Sequence, residues 1–208
     1  MSDIATFGFD NEDIKGGMYE KFKAKKNDVA RLGIVYQDAK AMFAGQKVHF
    51  KERFFLCKKG VCCDKLGMPK WRVGAVVVKY GTDRTGTIKQ PFTYELLPWI
   101  FSETTYIKLK TVNSEFPLAS HDIKISCTNE EYQHLDISPC QESVWLAKDE
   151  LKAKILEEAK PIWDYIKKSI ASDLSVEEIK ELLNIGGGGG GGSDPTTKLD
   201  LDKVLDSV

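Results

Sequence analysis

Between about residues 26 and 127 the apolar positions recur every second residue. Ala30, Leu32, Ile34 and Tyr36 alternate with Arg31, Gly33 and Val35. A period of two places successive side chains on opposite faces of an extended strand. Residues 47–57 (KVHFKERFFLC) read as another extended segment. Residues 72–80 (RVGAVVVKY) are almost all apolar and β-branched, the pattern of a central strand buried on both faces. Phe92, Tyr94 and Leu96 alternate with Thr93 and Glu95; Ile107, Leu109 and Thr111 with Lys108 and Lys110; Ile123, Ile125 and Cys127 with Asp122, Lys124 and Ser126. About six strands result, divided by turn material such as residues 81–86 (GTDRTG).

The period then lengthens. Leu151, Ile155, Ala159, Ile162 and Ile166 mark one helical face at spacings of four and three. Pro161 lacks a backbone donor and is expected to kink or split this helix. Ser175-Val176-Glu177-Glu178 has the form of a capping box. It opens a short helix with Ile179, Leu182 and Leu183 inward, which stops before Gly186. The pattern therefore predicts a mainly β class: a small antiparallel barrel or curled sheet with C-terminal helices.

Composition divides the 208 residues further. An arm covers residues 1–20, the β core 21–145 and a helical segment 146–185. Seven glycines (186–192) then form a linker, since glycine buries nothing and has much conformational entropy to lose. Residues 193–208 form an acidic tail studded with aliphatic residues, in which Asp200, Leu201, Asp202, Leu205 and Asp206 suit docking on a basic, shallowly grooved partner. No apolar run approaches the ~20 residues of a membrane span. Five cysteines, an odd number, without an export signal predict reduced thiols and a cytoplasmic setting.

The net charge of −1 conceals segregation. Residues 1–14 hold four acids and no base. Residues 15–89 hold eighteen Lys or Arg against six acids, a net of +12, and residues 90–208 a net of −9. A basic stretch between acidic ends is the footprint of a polyanion-binding surface. Aromatic and basic residues interleave within it, as single-strand binding requires: bases stack on rings while cations track phosphates. The residues that fit are Arg53, Phe55, Lys58, Lys59, Lys70, Trp71, Arg72, Lys79, Tyr80 and Arg84, followed by Tyr94 and Trp99. Phe92 and Phe101 are assigned to the core.

A second constellation is His49, Cys57, Cys62 and Cys63. Thiolates with an imidazole are the donors of a tetrahedral structural zinc site. Residues 57–63 (CKKGVCC) read as a tight loop, and the spacing is not the usual C-x2-C. One of Cys62 and Cys63 could ligate while the other packs, with Cys127 or Cys140 completing the set; buried free thiols are the alternative. Nothing marks a catalytic thiol. The P-loop, the dinucleotide-binding glycine fingerprint, H-E-x-x-H and G-x-S-x-G are all absent from the sequence. His121-Asp122 reads as a strand-end hydrogen bond rather than an acid–base pair.

In order along the chain, Phe54-Phe55-Leu56-Cys57, Cys62-Cys63, residues 72–80, the Tyr94…Trp99 segment, His121-Asp122-Ile123 and the terminal Leu-Asp-Leu-Asp-Lys-Val-Leu-Asp resemble the helix-destabilising single-stranded-DNA-binding proteins of tailed bacteriophages. The resemblance is strongest from about Lys47 to Val144. It implies an OB-fold that coats exposed strands in phage replication, recombination and repair in the infected bacterial cell, without catalysis. It also implies a zinc bracing the barrel and a tail recruiting replication and recombination proteins. The acidic first fourteen residues depart from it, because the best-studied members use a basic arm for cooperative binding. Two rivals stand beside this reading: an RNA-binding or transcription-accessory protein on the same barrel, and a metal-dependent nuclease. The second is the weaker, because the six acids of the basic stretch (Glu20, Asp28, Asp38, Glu52, Asp64, Asp83) are scattered.

Overall fold

The computed structural model describes residues 19–127 and 135–185. Most of the expected N-terminal arm, the glycine linker and the tail residues Asp200, Leu201, Asp202, Leu205 and Asp206 lie outside the described residues. Within them run seven strands: β1 (Val29–Val35), β2 (Ala44–Phe50), β3 (Phe54–Leu56), β4 (Lys70–Tyr80), β5 (Tyr94–Ser102), β6 (His121–Cys127) and β7 (Leu135–Glu142). The helices are α1 (Val61–Leu66), α2 (Glu103–Glu115), α3 (Asp149–Ser169) and α4 (Val176–Leu182). No helix among the described residues is long and apolar enough to cross a membrane.

The strands form one antiparallel sheet in the order β3-β2-β4-β1-β6-β7, with β5 on β4. β5 takes one edge of β4 from Arg72 to Tyr80. β2 and β1 divide the other edge, β2 pairing with residues 70–74 and β1 with residues 76–79. The expected barrel is not closed: among the described residues neither β3 nor β7 pairs with β5. Helix α2 packs against β4, β5 and β7, so a helix stands where closure would have joined strands.

That helix corrects the reading of Ile107, Leu109 and Thr111 as a strand. The Ser102 side chain caps it by accepting the Thr105 amide, and the buried pair Thr105 and Leu109 sits at i, i+4. The alternation is a strand pattern, but in the helix Ile107 and Thr111 face outward and only Leu109 of the three is buried. Residues 47–57 are likewise a hairpin of β2 and β3 rather than one extended run. The expected loop at 57–63 runs into α1, which starts at Val61, and the sequence of β7 shows no clear alternation. Pro161 lies inside α3, which is one helix throughout. The residue forgoes a single backbone bond, while Ile155, Ala159, Ile162 and Ile166 hold the helix to the sheet.

β4 is buried on both faces, as its composition predicted. Val73, Ala75 and Val77 face a core shared with Leu97, Trp99, Phe101 and Leu109. Val76, Val78 and Tyr80 face a second core shared with α3. Gly74 permits that approach: a Cβ there would stand 2.4 Å from the Ile166 side chain. The helical segment is therefore a layer of the fold, not an appendage. A third, small core gathers Phe55, Cys62, Leu174 and Ile179 between β3, α1 and α4. The predicted capping box is present at Ser175 and Glu178.

Candidate functional site

His49, Cys57, Cys62 and Cys63 converge beside the third core, with one donor atom from each lying within 4.8 Å of all the others. β2 supplies the buried His49, and β3 delivers Cys57, whose amide extends the ladder to the Lys47 carbonyl at 3.0 Å. Lys59 and Gly60 then adopt φ of 57° and 48°. This left-handed pair reverses the chain, and glycine takes it at little cost. The first turn of α1 consequently brings both adjacent cysteines back to Cys57. The Cys57 Sγ is 3.8 Å from the Cys62 Sγ and 3.4 Å from the Cys63 Sγ, and the Cys63 Sγ is 3.6 Å from His49 Nε2.

These separations suit one tetrahedral ion. Bonds of about 2.3 Å to sulfur and about 2.0–2.1 Å to nitrogen imply donor–donor edges of about 3.8 and about 3.6 Å. The set is compatible with a metal such as zinc. Both Cys62 and Cys63 bring a sulfur into the cluster, and Cys62 also packs in the third core. Neither Cys127 nor Cys140 is needed: Cys127 lies in the first core and Cys140 on β7. Burial opposes ionisation of Cys57, but the Lys59 amide and the Cys63 and Cys62 thiols outweigh it and lower its pKa. Cys63, hydrogen-bonded to Cys57, is pushed up to about 11.

The twelve residues expected to grip nucleic acid do not form one groove. Phe55 is fully buried in the third core, and Trp99 is 3 % exposed against Phe22 and Phe101. Tyr80 is 2 % exposed, donating to Asp122 at 3.1 Å and accepting the Trp145 amide at 3.2 Å. Sealed rings offer no face to a base. Arg72 is buried as well; it donates to the Ile170 carbonyl at 2.7 Å and its guanidinium lies 3.8 Å from the Phe54 ring centre. Burial brings its pKa down to about 10. Tyr94 packs against the second core, on the α3 side of the sheet, where it donates to Glu158. Arg53, Lys58, Lys59 and Arg84 are exposed, with Lys58 paired to Asp173. Lys70 and Lys79 are half-buried.

Trp71 is the ring that stays open, at 40 % exposure. It lies over Gly45, and the Lys47 ammonium is 5.7 Å from its ring centre. Its amide donates to Glu103 at the start of α2.

A larger cationic feature was missed. In the segment before β1, Phe22 and Ala24 enter the first core while Lys21, Lys23 and Lys25 alternate outward. The Phe22 amide bonds the Pro98 carbonyl on the outer edge of β5. The three lysines, with Lys79, Tyr19 and Tyr165, line a groove of about 560 Å³ that Glu20 and Glu95 also border, Glu95 pairing with Lys79 at 3.8 Å. Lys21 is half-buried, and its pKa is lowered by that burial and by the cations Arg72 and Lys23. Among the described residues no carboxylate pairs with it. The Lys-Phe-Lys-Ala-Lys run is itself an amphipathic strand pattern, lying just before the alternation that begins near residue 26.

The pair His121-Asp122 also differs from expectation. Asp122 turns into the core toward Arg31 and Tyr80, while His121 Nδ1 stays with Ser120 and the Pro117 carbonyl. Comparison of the chain with protein-family models, curated proteins and solved structures gave no match.

Proposed function

We propose that this protein binds unpaired nucleic acid, DNA above all, through backbone electrostatics and limited base stacking, without cleaving it. The observation that carries the reading is the row Lys21, Lys23 and Lys25. Alternate residues of an extended chain stand about 6.6 Å apart, of the order of the phosphate repeat of a stretched polynucleotide strand. The half-buried Lys21, crowded by Arg72 and Lys23, holds its charge at a cost that an anion would relieve. The open sheet serves where a closed OB barrel was expected, and Trp71 with Lys47 adds a stacking point. Zinc held by His49, Cys57, Cys62 and Cys63 would brace the hairpin that carries Lys47. The acidic tail would recruit replication and recombination proteins, as the resemblance to phage single-strand-binding proteins implies.

A salt series of affinity for single-stranded and double-stranded oligonucleotides tests this reading. Tight, salt-sensitive binding that favours the single strand is expected. Equal affinity for the duplex, or salt-independent binding, would overturn it. A matched RNA competitor in the same assay ranks the two sugars.

A further inference from the structure

A pocket of about 450 Å³ opens between the loop that follows β1 and helix α2. Its floor includes the buried Leu109 and Leu118, its wall holds Phe43 and Tyr106, and Lys40 and Lys110 stand at its margin. Tyr106 is 36 % exposed. Phe43 is held edge-on between Tyr106, at 5.6 Å, and Phe101, at 6.2 Å. Phe101 in turn meets Trp99, and Trp99 meets Phe22. One ladder of rings thus joins the lysine-bearing segment to the pocket through the first core, so both features rest on the same packed layer. Neither Phe43 nor Tyr106 stood among the residues expected from sequence.

The composition defines the occupant. An apolar floor with aromatic walls accepts a flat ring. Two margin cations, Lys40 and Lys110, add an anionic requirement that a purely apolar guest would not meet. The volume lies within the ~300–1,000 Å³ typical of small-molecule sites. We propose that this pocket captures one unstacked nucleotide of the bound strand, its base against Phe43 and Tyr106 and its phosphate toward Lys40 and Lys110. The inference rests on the nucleic-acid reading above and adds to it a fixed position where a base leaves the stack. An exposed ring is available to that base without repacking, whereas Trp99 and Tyr80 are not.

The test uses the full chain and a short oligothymidylate carrying 5-iodo-deoxyuridine. Photocrosslinks are expected at Phe43 or Tyr106. Tyr106→Ala should lower affinity about 5- to 150-fold, the equivalent of ~1–3 kcal/mol for one stacked base. Tyr106→Phe should restore most of it, since the flat ring does the binding. Thermal unfolding of Tyr106→Ala should match the parent, because the side chain is partly open to solvent. If Tyr106→Ala binds at full affinity, or the crosslinks map only to Trp71 and the lysine groove, the pocket assignment is wrong while the nucleic-acid reading survives. If the parent binds no oligonucleotide, both fail together. If the pocket instead takes a synthetic peptide of residues 193–208 and Tyr106→Ala abolishes only that binding, the occupant is a peptide and the assignment is overturned.

Discussion

The Arg31 guanidinium and the Asp122 carboxylate meet at 2.8 Å with both side chains shut away from solvent. Arg31 Nε also donates to Asp122, as does the Tyr80 hydroxyl. Gly33 leaves the space: a Cβ there would stand 2.7–2.9 Å from Trp145, Tyr80 and Asp122. Removing one charge strands the other in the interior, so Arg31→Ala or Asp122→Ala should each cost about 3–5 kcal/mol. The double variant Arg31→Met/Asp122→Leu should recover most of that loss, because desolvation of two ions roughly cancels their attraction. Urea unfolding of the three variants measures it. A double variant as unstable as the sum of the singles would show that the pair holds the core together by itself.

The same pair sets a pH response. Burial raises the Asp122 pKa against the opposing pull of Arg31. The folded-state pKa therefore lies above the unfolded carboxylate value of about 3.9. The stability linked to this group is fully present below that unfolded value and is lost as pH rises through the folded one. In the double apolar variant this loss should vanish, leaving a shallower decline over the window just above pH 4. Identical pH–stability slopes for parent and double variant would rule the mechanism out.

A zinc held by His49 and the three cysteines should decide the fate of one lobe only. The third core fully buries Phe55, Cys62, Leu174 and Ile179, ringed by partly buried residues such as Val61, Leu66 and Leu182, a small core that a staple would reinforce. A structural zinc contributes its binding energy to folding. Elemental analysis should find one zinc per chain. Chelation, or Cys57→Ser, should raise hydrogen exchange in α1 and α4 while β1 and β4 stay protected. Native protein without zinc, or uniform loosening of the whole chain, contradicts this.

Two tryptophans that look alike in sequence should behave in opposite ways. Trp71→Ala removes an open ring and should weaken single-strand binding about 5- to 150-fold at unchanged stability. Trp99→Ala empties a site between Phe22 and Phe101 and should cost about 3–5 kcal/mol of stability. Parallel binding isotherms and thermal melts separate the two. Normal binding by Trp71→Ala would remove that ring from the interface.

The sequence reveals period, caps and donor chemistry well, and depth poorly. β1, β4, β6, the stripe of α3 and the box at Ser175 follow from local pattern, because each element's apolar face is written at its own spacing. The His49 and cysteine set was legible from ligand type alone, although its geometry depends on the reversal at Lys59 and Gly60. Trp71 and Trp99 are both tryptophans near strand residues, and only packing distinguishes the covered one. The twelve-residue groove failed for the same reason: Arg72 and Tyr80 sit on the even face of β4 with α3, whereas Trp71 and Lys79 sit on the odd face. The open sheet was hidden because five residues of α2 mimic a strand.

The lysine row makes the most direct quantitative claim. Each phosphate neutralised on a single strand contributes about 0.7 to the slope of log affinity against log salt. If Lys21, Lys23 and Lys25 each contact one phosphate, replacing all three with Gln should flatten that slope by about 2. Lys23 and Lys25 are exposed and Lys21 half-buried on a segment anchored by Phe22 and Ala24, and Gln keeps most of the aliphatic stem, so the fold should keep its melting temperature. Lys58→Gln is the contrasting variant. Lys58 is already paired with Asp173, and its replacement should leave the slope nearly unchanged. A triple variant with the parental slope, beside a Lys58 variant that flattens it, would move the phosphate track from the edge of β5 to the metal lobe.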